Sequence, residues 1–180
     1  MRKMRKEMLE CHDSEKIDRF LQQARVGFLG LDDDDGPYVV PVNFVWADRT
    51  LYFHGAEAGR KADIIRSGAP ACFTVCEEYA TMAHAVPAHT STAYLSVMLF
   101  GQACPLTDPG RVTEAMQRLL DKYVPGYFRR SLAQAHVEKY RSKLGSRTVV
   151  YCLRPERMTA KENPLDPQQR FIPGQHAGES

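Results

Sequence analysis

Between Leu51 and Ile65 the chain reads LYFHGAEAGRKADII: an extended apolar run, a stretch broken by Gly55 and Gly59, then a helical pattern that opens on two cations. The first turn of a helix presents unpaired backbone N–H groups and the positive end of the helix dipole, and it ordinarily favours Asp or Glu. Arg60 and Lys61 in that turn therefore suit a bound anion. A phosphate matches both, because the planar guanidinium grips two oxygens while the ammonium adds a compact charge on a flexible stem. Gly55 and Gly59 let the backbone turn closely past such a ligand. The same pair of cations also suits a solvated surface, where Lys and Arg are common.

Other residues with chemical potential are less organised. Cys72 and Cys76, four apart on an extended run, share a face, and Cys104, His84 and His89 are further possible metal ligands; burial as small hydrophobes explains such cysteines more simply, and no metal is expected. The acidic run at residues 32–35 lacks the alternating ligands and closing Glu of a calcium loop and reads as a solvated turn.

The elements that must position the anion site follow from periodicity and punctuation. Asp13 or Ser14 caps a helix whose apolar face is Ile17, Phe20, Leu21 and Ala24. Residues 26–31 and 38–46 are extended and joined by the DDDDGP turn, which makes a hairpin. A second tight turn at residues 47–49 leads into the Leu51 strand, and the helix opened by Arg60 ends near Gly68. Residues 71–76 form a strand, 77–91 a loop, and 92–106 another strand. Asp108-Pro109 caps a helix carrying Val112, Ala115, Met116, Leu119 and Leu120 on one face. A weaker helix spans 131–142, and 147–153 is a last strand before a polar, Pro-rich stretch. Many β-runs with helices inserted between them predict an antiparallel barrel with helical caps, and the absence of GxGxxG agrees.

A chain of 180 residues holds a single domain, set at 1–164 with a polar tail at 165–180. Its 24 basic residues nearly balance 22 acidic ones, so no nucleic-acid partner is expected from the overall charge. The N-terminal MRKMRK runs into EMLECHDSEK instead of an apolar segment, which predicts a solvated arm, no signal peptide and no membrane anchor. Five cysteines without CxxC spacing then point to a reduced, cytoplasmic protein.

Four blocks in order, GPYVVPVNFVW from Gly36, LYFHGAEAGRK from Leu51, YLSVMLFGQA from Tyr94 and MTAKEN from Met158, carry a resemblance that covers residues 20–164. The chain resembles the FMN-binding split-barrel proteins related to pyridoxamine 5′-phosphate oxidase, and within them the nitroimidazole-reductase branch. The resemblance implies a mainly β fold, a six-stranded antiparallel split barrel with flanking helices. It also implies a homodimer with FMN held in clefts at the dimer interface.

By the same resemblance Arg60 and Lys61 match the family's phosphate-binding pair, beside Gly55. Pro41, Val42 and Asn43 match the strand whose backbone follows the edge of the flavin ring; an ordinary strand position remains open for Asn43. Ser96 matches a small hydroxyl able to reach the flavin or its phosphate, with Tyr94 on the same strand face; both also suit plain packing. His54 stands where the nitroimidazole-reductase branch has a His beside the flavin and is the candidate catalytic residue, able to orient a substrate or deliver a proton, with a structural, backbone-bonded His as the alternative. True pyridoxamine-phosphate oxidases end in a segment with Trp and Arg that recognises the substrate phosphate. LRPERMTAKENP does not reproduce it, which argues against vitamin B6 oxidation. The expectation is an FMN-dependent oxidoreductase that passes electrons from NADH or NADPH to a small nitroaromatic or related acceptor. A flavin- or haem-binding carrier on the same barrel is the other reading.

Overall fold

The computed structural model describes residues 5–143 and 145–177. Residues 1–4 of the basic N-terminal run and the last three of the polar tail lie outside the described residues. Helix α1 (Ser14–Gln23) begins where Asp13 accepts the backbone N–H of Lys16 at 2.9 Å, and it buries Ile17, Phe20 and Leu21. Strands β1 (Val26–Asp33) and β2 (Gly36–Asn43) pair along their whole length from Val26↔Asn43 to Asp33↔Gly36, the turn being closed by Gly36 at φ 92°. Then come β3 (Val45–Ala47), β4 (Thr50–Ala56), α2 (Arg60–Ser67), β5 (Pro70–Met82), β6 (Ser91–Pro105), α3 (Pro109–Tyr123), the single turn α4 (Gln134–Val137), β7 (Thr148–Leu153) and β8 (Arg157–Asn163).

All strand pairs are antiparallel, in the order β2-β1-β5-β6-β7-β4-β3 with β8 on β6. The sheet curls around Leu29, Phe44, Phe53, Phe73, Leu95, Leu99 and Leu153 without closing, and α2 adds Ala62, Ile64 and Ile65 to that core. A second, smaller core lies under α3, where Val45, Tyr52 and Val150 meet Ala115, Met116 and Leu119. The fold is the mainly β, split-barrel-like class expected, with eight strands in place of six. Two local events make the difference. The run at 38–46 breaks at Phe44, whose N–H donates to the Tyr123 hydroxyl at 2.8 Å and whose C=O, 2.9 Å from that hydroxyl, shares its single proton with Arg25 O; held by a side chain instead of a neighbouring strand, Phe44 leaves the ladder and inserts fully into the core. The MTAKEN block, polar enough to hide its strand character, pairs with β6 as β8 and buries Ala160.

Strand β6 changes partners along its length. Tyr94 to Phe100 pair with β8, and Ala103 to Pro105 pair with β7. Gly101 lies at the changeover, where an added Cβ would stand 3.0 Å from the Arg154 carbonyl oxygen in the β7–β8 connection. The loop expected at 77–91 is shorter, because β5 runs on to Met82 and β6 starts at Ser91 across a register shift between Glu78 and Ala80. The helix expected at 131–142 contracts to α4. The polar segment after residue 164 folds back: Ala83 N–H donates to Gln169 O at 2.8 Å and Phe171 N–H to Thr81 O at 2.9 Å. Among the described residues no helix is long and apolar enough to cross a membrane.

Candidate functional site

Lys61 is the focus of the site. It sits in the first turn of α2, which starts from Gly59 at φ 105° with no side-chain cap on its N–H groups. Its side chain lies back across β4, so that a Cβ on Gly55 would fall 2.8 Å from Lys61 Nζ. Any residue larger than glycine would push the ammonium away. Phe53 lies beneath, its ring centroid 5.7 Å from Nζ, and Tyr151 stacks on Phe53 at 5.3 Å while donating its hydroxyl to Ala56 O at 2.8 Å. Among the described residues Lys61 has no hydrogen-bond or ion-pair partner, and desolvation lowers its pKa. A half-buried, uncompensated cation over a glycine is a place for a ligand's negative charge.

Arg60 is tied differently. Its Nε and Nη2 donate to Asp33 at 3.0 and 2.6 Å, Nη2 also donates to Gly36 O at 2.7 Å, and the guanidinium lies 4.9 Å from the Tyr38 ring centroid. The guanidinium beside Asp33 holds that carboxyl below its usual range against the opposing cost of desolvation. Arg60 thus pins α2 to the β1–β2 hairpin through Nε and Nη2, and Nη1 makes no hydrogen bond among the described residues. Asp33 and Tyr151 belong to this neighbourhood and were not singled out in sequence. Asp33 had a visible signal, an acidic run at a hairpin tip, but its partner lies 27 residues away.

His54 alternates to the other face of β4 from Phe53 and Gly55. Its tip is exposed, it has no hydrogen-bond partner among the described residues, and desolvation followed by the Lys61 charge lowers its pKa. The imidazole is therefore mainly neutral at pH 7, with its nitrogens available. Among the described residues the imidazole makes no bond to backbone.

Val42 points into the core, whereas Pro41 and Asn43 are exposed on the outward face of β2. Tyr94 and Ser96 occupy the outward face of β6, since Ala93, Leu95 and Val97 fill its core face. These four do not share the inner mouth with Lys61. They border an exposed apolar band whose registered row runs Pro41, Phe28, Thr74, Met98, flanked by Val26 and Val39. No group of three or more His, Cys, Asp or Glu able to hold a metal occurs among the described residues.

The sequence profile described as "Pyridoxamine 5'-phosphate oxidase" matches residues 13–162. A comparison with curated proteins finds no match. Solved structures with the same fold include the flavocytochrome Anf3 from Azotobacter vinelandii, 23% identical with a TM-score of 0.75, over 92% of this chain and 76% of that one. The FAD and haem binding protein from Mycobacterium smegmatis is 17% identical with a TM-score of 0.71, over 96% and 93%. A putative 5-nitroimidazole antibiotic resistance protein from Bacteroides thetaiotaomicron is 24% identical with a TM-score of 0.66, over 84% and 85%. At these identities the likeness is one of fold.

Proposed function

This chain belongs to the pyridoxamine 5′-phosphate oxidase family, and from that premise we propose that it is an FMN-dependent oxidoreductase of the nitroaromatic-reductase type, taking electrons from NADH or NADPH and reducing a small acceptor. The observation that carries the proposal is the Lys61 ammonium, half-buried and uncompensated across Gly55 at the start of α2. The terminal phosphate of FMN supplies the charge that Lys61 lacks, the first-turn N–H groups of α2 add donors, and Arg60 offers Nη1 from its anchored position. Bound FMN supplies the two-electron chemistry. His54, neutral at pH 7, orients the acceptor through a hydrogen bond or, once protonated, delivers a proton to it.

The working unit in this reading is a homodimer. The exposed band through Phe28, Met98, Val26 and Val39 is apolar enough to need a cover, and a second copy provides one. Pro41, Asn43, Tyr94 and Ser96 border the same face, so pairing would bring them toward a cofactor held at the seam. A cytoplasmic setting, consistent with five cysteines that are free thiols in this structure, completes the proposal.

A second reading, a carrier that holds flavin or haem without turnover, is favoured by two proteins of similar fold, a flavocytochrome and a FAD and haem binding protein. One experiment separates the readings: the visible spectrum and mass of the copurifying group, then anaerobic addition of NADH or NADPH. FMN that bleaches and is reoxidised by a nitroimidazole is the expected result. FMN that persists unbleached with either donor favours the carrier, and a haem Soret band without flavin overturns the oxidoreductase.

A further inference from the structure

Cys104 on β6 and Cys152 on β7 are directly opposed in antiparallel register, and their sulfur atoms stand 3.4 Å apart. Opposed residues of an antiparallel pair have Cα atoms about 4.5 or 5.5 Å apart, inside the span of a disulfide. Closing the remaining gap needs side-chain rotation and a small backbone adjustment. The other cysteines lack such a partner: Cys72 registers with Phe100, Cys76 with Ser96, and Cys11 lies against β8.

We propose that Cys104 and Cys152 form a reversible dithiol–disulfide couple that exchanges with small-molecule disulfides of the glutathione class. Cys104 is exposed and accessible to the oxidant, while Cys152 is partly buried beneath α3. In the first step the Cys104 thiolate attacks one sulfur of the small disulfide, making a mixed disulfide and expelling one small thiol. In the second, Cys152 loses its proton to solvent and attacks Cys104 Sγ, which breaks the mixed disulfide and releases the second small thiol. Two protein thiols are oxidised and one small disulfide is reduced to two thiols.

Burial, then the Cys104 hydrogen bond and charge, push the Cys152 thiol up to about 12, with the Arg111 charge opposing them. Exposure sets the order of the two steps: Cys104 meets the oxidant first, and the partly buried Cys152, opposite it in register, resolves the mixed disulfide.

The position gives the couple leverage. The β6–β7 ladder has only three registered pairs, with Cys104–Cys152 in the middle, and it joins the β2-β1-β5-β6-β8 half of the sheet to the β7-β4-β3 half. Tyr151, next to Cys152, carries the stack on Phe53 beneath Lys61. A disulfide would staple this seam without touching the anion site.

The test uses the full-length protein equilibrated with graded ratios of oxidised to reduced glutathione, with thiol counting, peptide mass analysis and thermal melting. The expected result is a fall from five free thiols to three, a cross-linked peptide pair containing Cys104 and Cys152, reversal by excess reduced glutathione, and a Tm rise of roughly 5–10 °C. Cys104→Ser, at an exposed position, should keep its remaining four thiols, whereas Cys152→Ser should stop as a glutathione adduct on Cys104. Loss of the same number of thiols in wild type and both variants, or a cross-link confined to other cysteines or to separate chains, overturns the proposal.

Discussion

At the level of single side chains, Lys61 holds its charge against the preference of its surroundings. Desolvation favours the neutral amine, so the ligand-free fold bears an unfavourable group that a bound phosphate would compensate. Lys61→Met should weaken FMN binding by roughly 10–100-fold, since a charge-assisted hydrogen bond to phosphate is lost, while leaving the Tm of the ligand-free protein unchanged or raised. Gly55→Ala should reproduce part of the affinity loss with Lys61 still present, because its Cβ would stand 2.8 Å from the ammonium and displace it. Fluorescence titration with FMN beside a melting curve reads both; tight FMN binding in Lys61→Met would remove the phosphate assignment. Lys122 offers a test by pH. Desolvation, helped by Arg25, lowers it to about 8, with its ammonium 4.3 Å from the Phe44 ring centroid. Between that value and the ordinary 10.5 the unfolded chain binds more protons than the folded one, so this group's stability contribution is complete above 10.5 and lost as pH falls toward 8. The stability difference, wild type minus Lys122→Met, should therefore grow from pH 8 to 10.5; a flat difference in denaturant titrations would contradict the assignment.

For strands and helices, the changeover on β6 depends on Gly101. Gly101→Val should cost about 1–3 kcal/mol by pushing the β7–β8 connection off the strand, measured by urea unfolding; an unchanged midpoint would mean that the connection yields freely. Whether an element could be read from sequence depended on how local its causes are. Asp13 and Asp108 cap α1 and α3 through the backbone N–H three residues on, and both starts were legible. The glycine-flanked opening of α2 and its end at Gly68 were legible for the same reason. The break at Phe44 was not, because the hydroxyl that causes it comes from Tyr123, 79 residues away. Strand β8 escaped because Ala160 is its only fully buried residue, and two-residue alternation needs a buried face to be visible. The candidate site divides likewise: the Gly55, Arg60 and Lys61 pattern could be read, but not that Asp33 takes up Arg60, nor that His54 faces away from Lys61.

For the molecule as a whole, the outward faces of β1, β2, β5 and β6 form a surface that a lone chain leaves uncovered. Phe28 is 49% exposed, Val26 47%, Val39 63% and Met98 36%. In the proposed dimer, Phe28→Glu should yield a monomer in sedimentation and lower FMN affinity together, because the charge would be buried at the seam. A Phe28→Glu protein that remains dimeric would move the interface elsewhere. The two ends of the fold also meet. Cys11 N–H donates to Ala160 O at 3.0 Å, Glu10 bridges to Lys161, and the Lys16 ammonium donates to Glu162. The segment leading into α1 is thus completed by β8, which leaves the ribosome after strands β1 to β7. The first helix must wait for the closing strand before this seam can form, and the loop-closure cost of so distant a pairing favours slow, late consolidation. During synthesis the amphipathic face of α1 and the inner side of β6 are left without their final cover, a window in which a chaperone, or a neighbouring nascent chain, competes for the same surface.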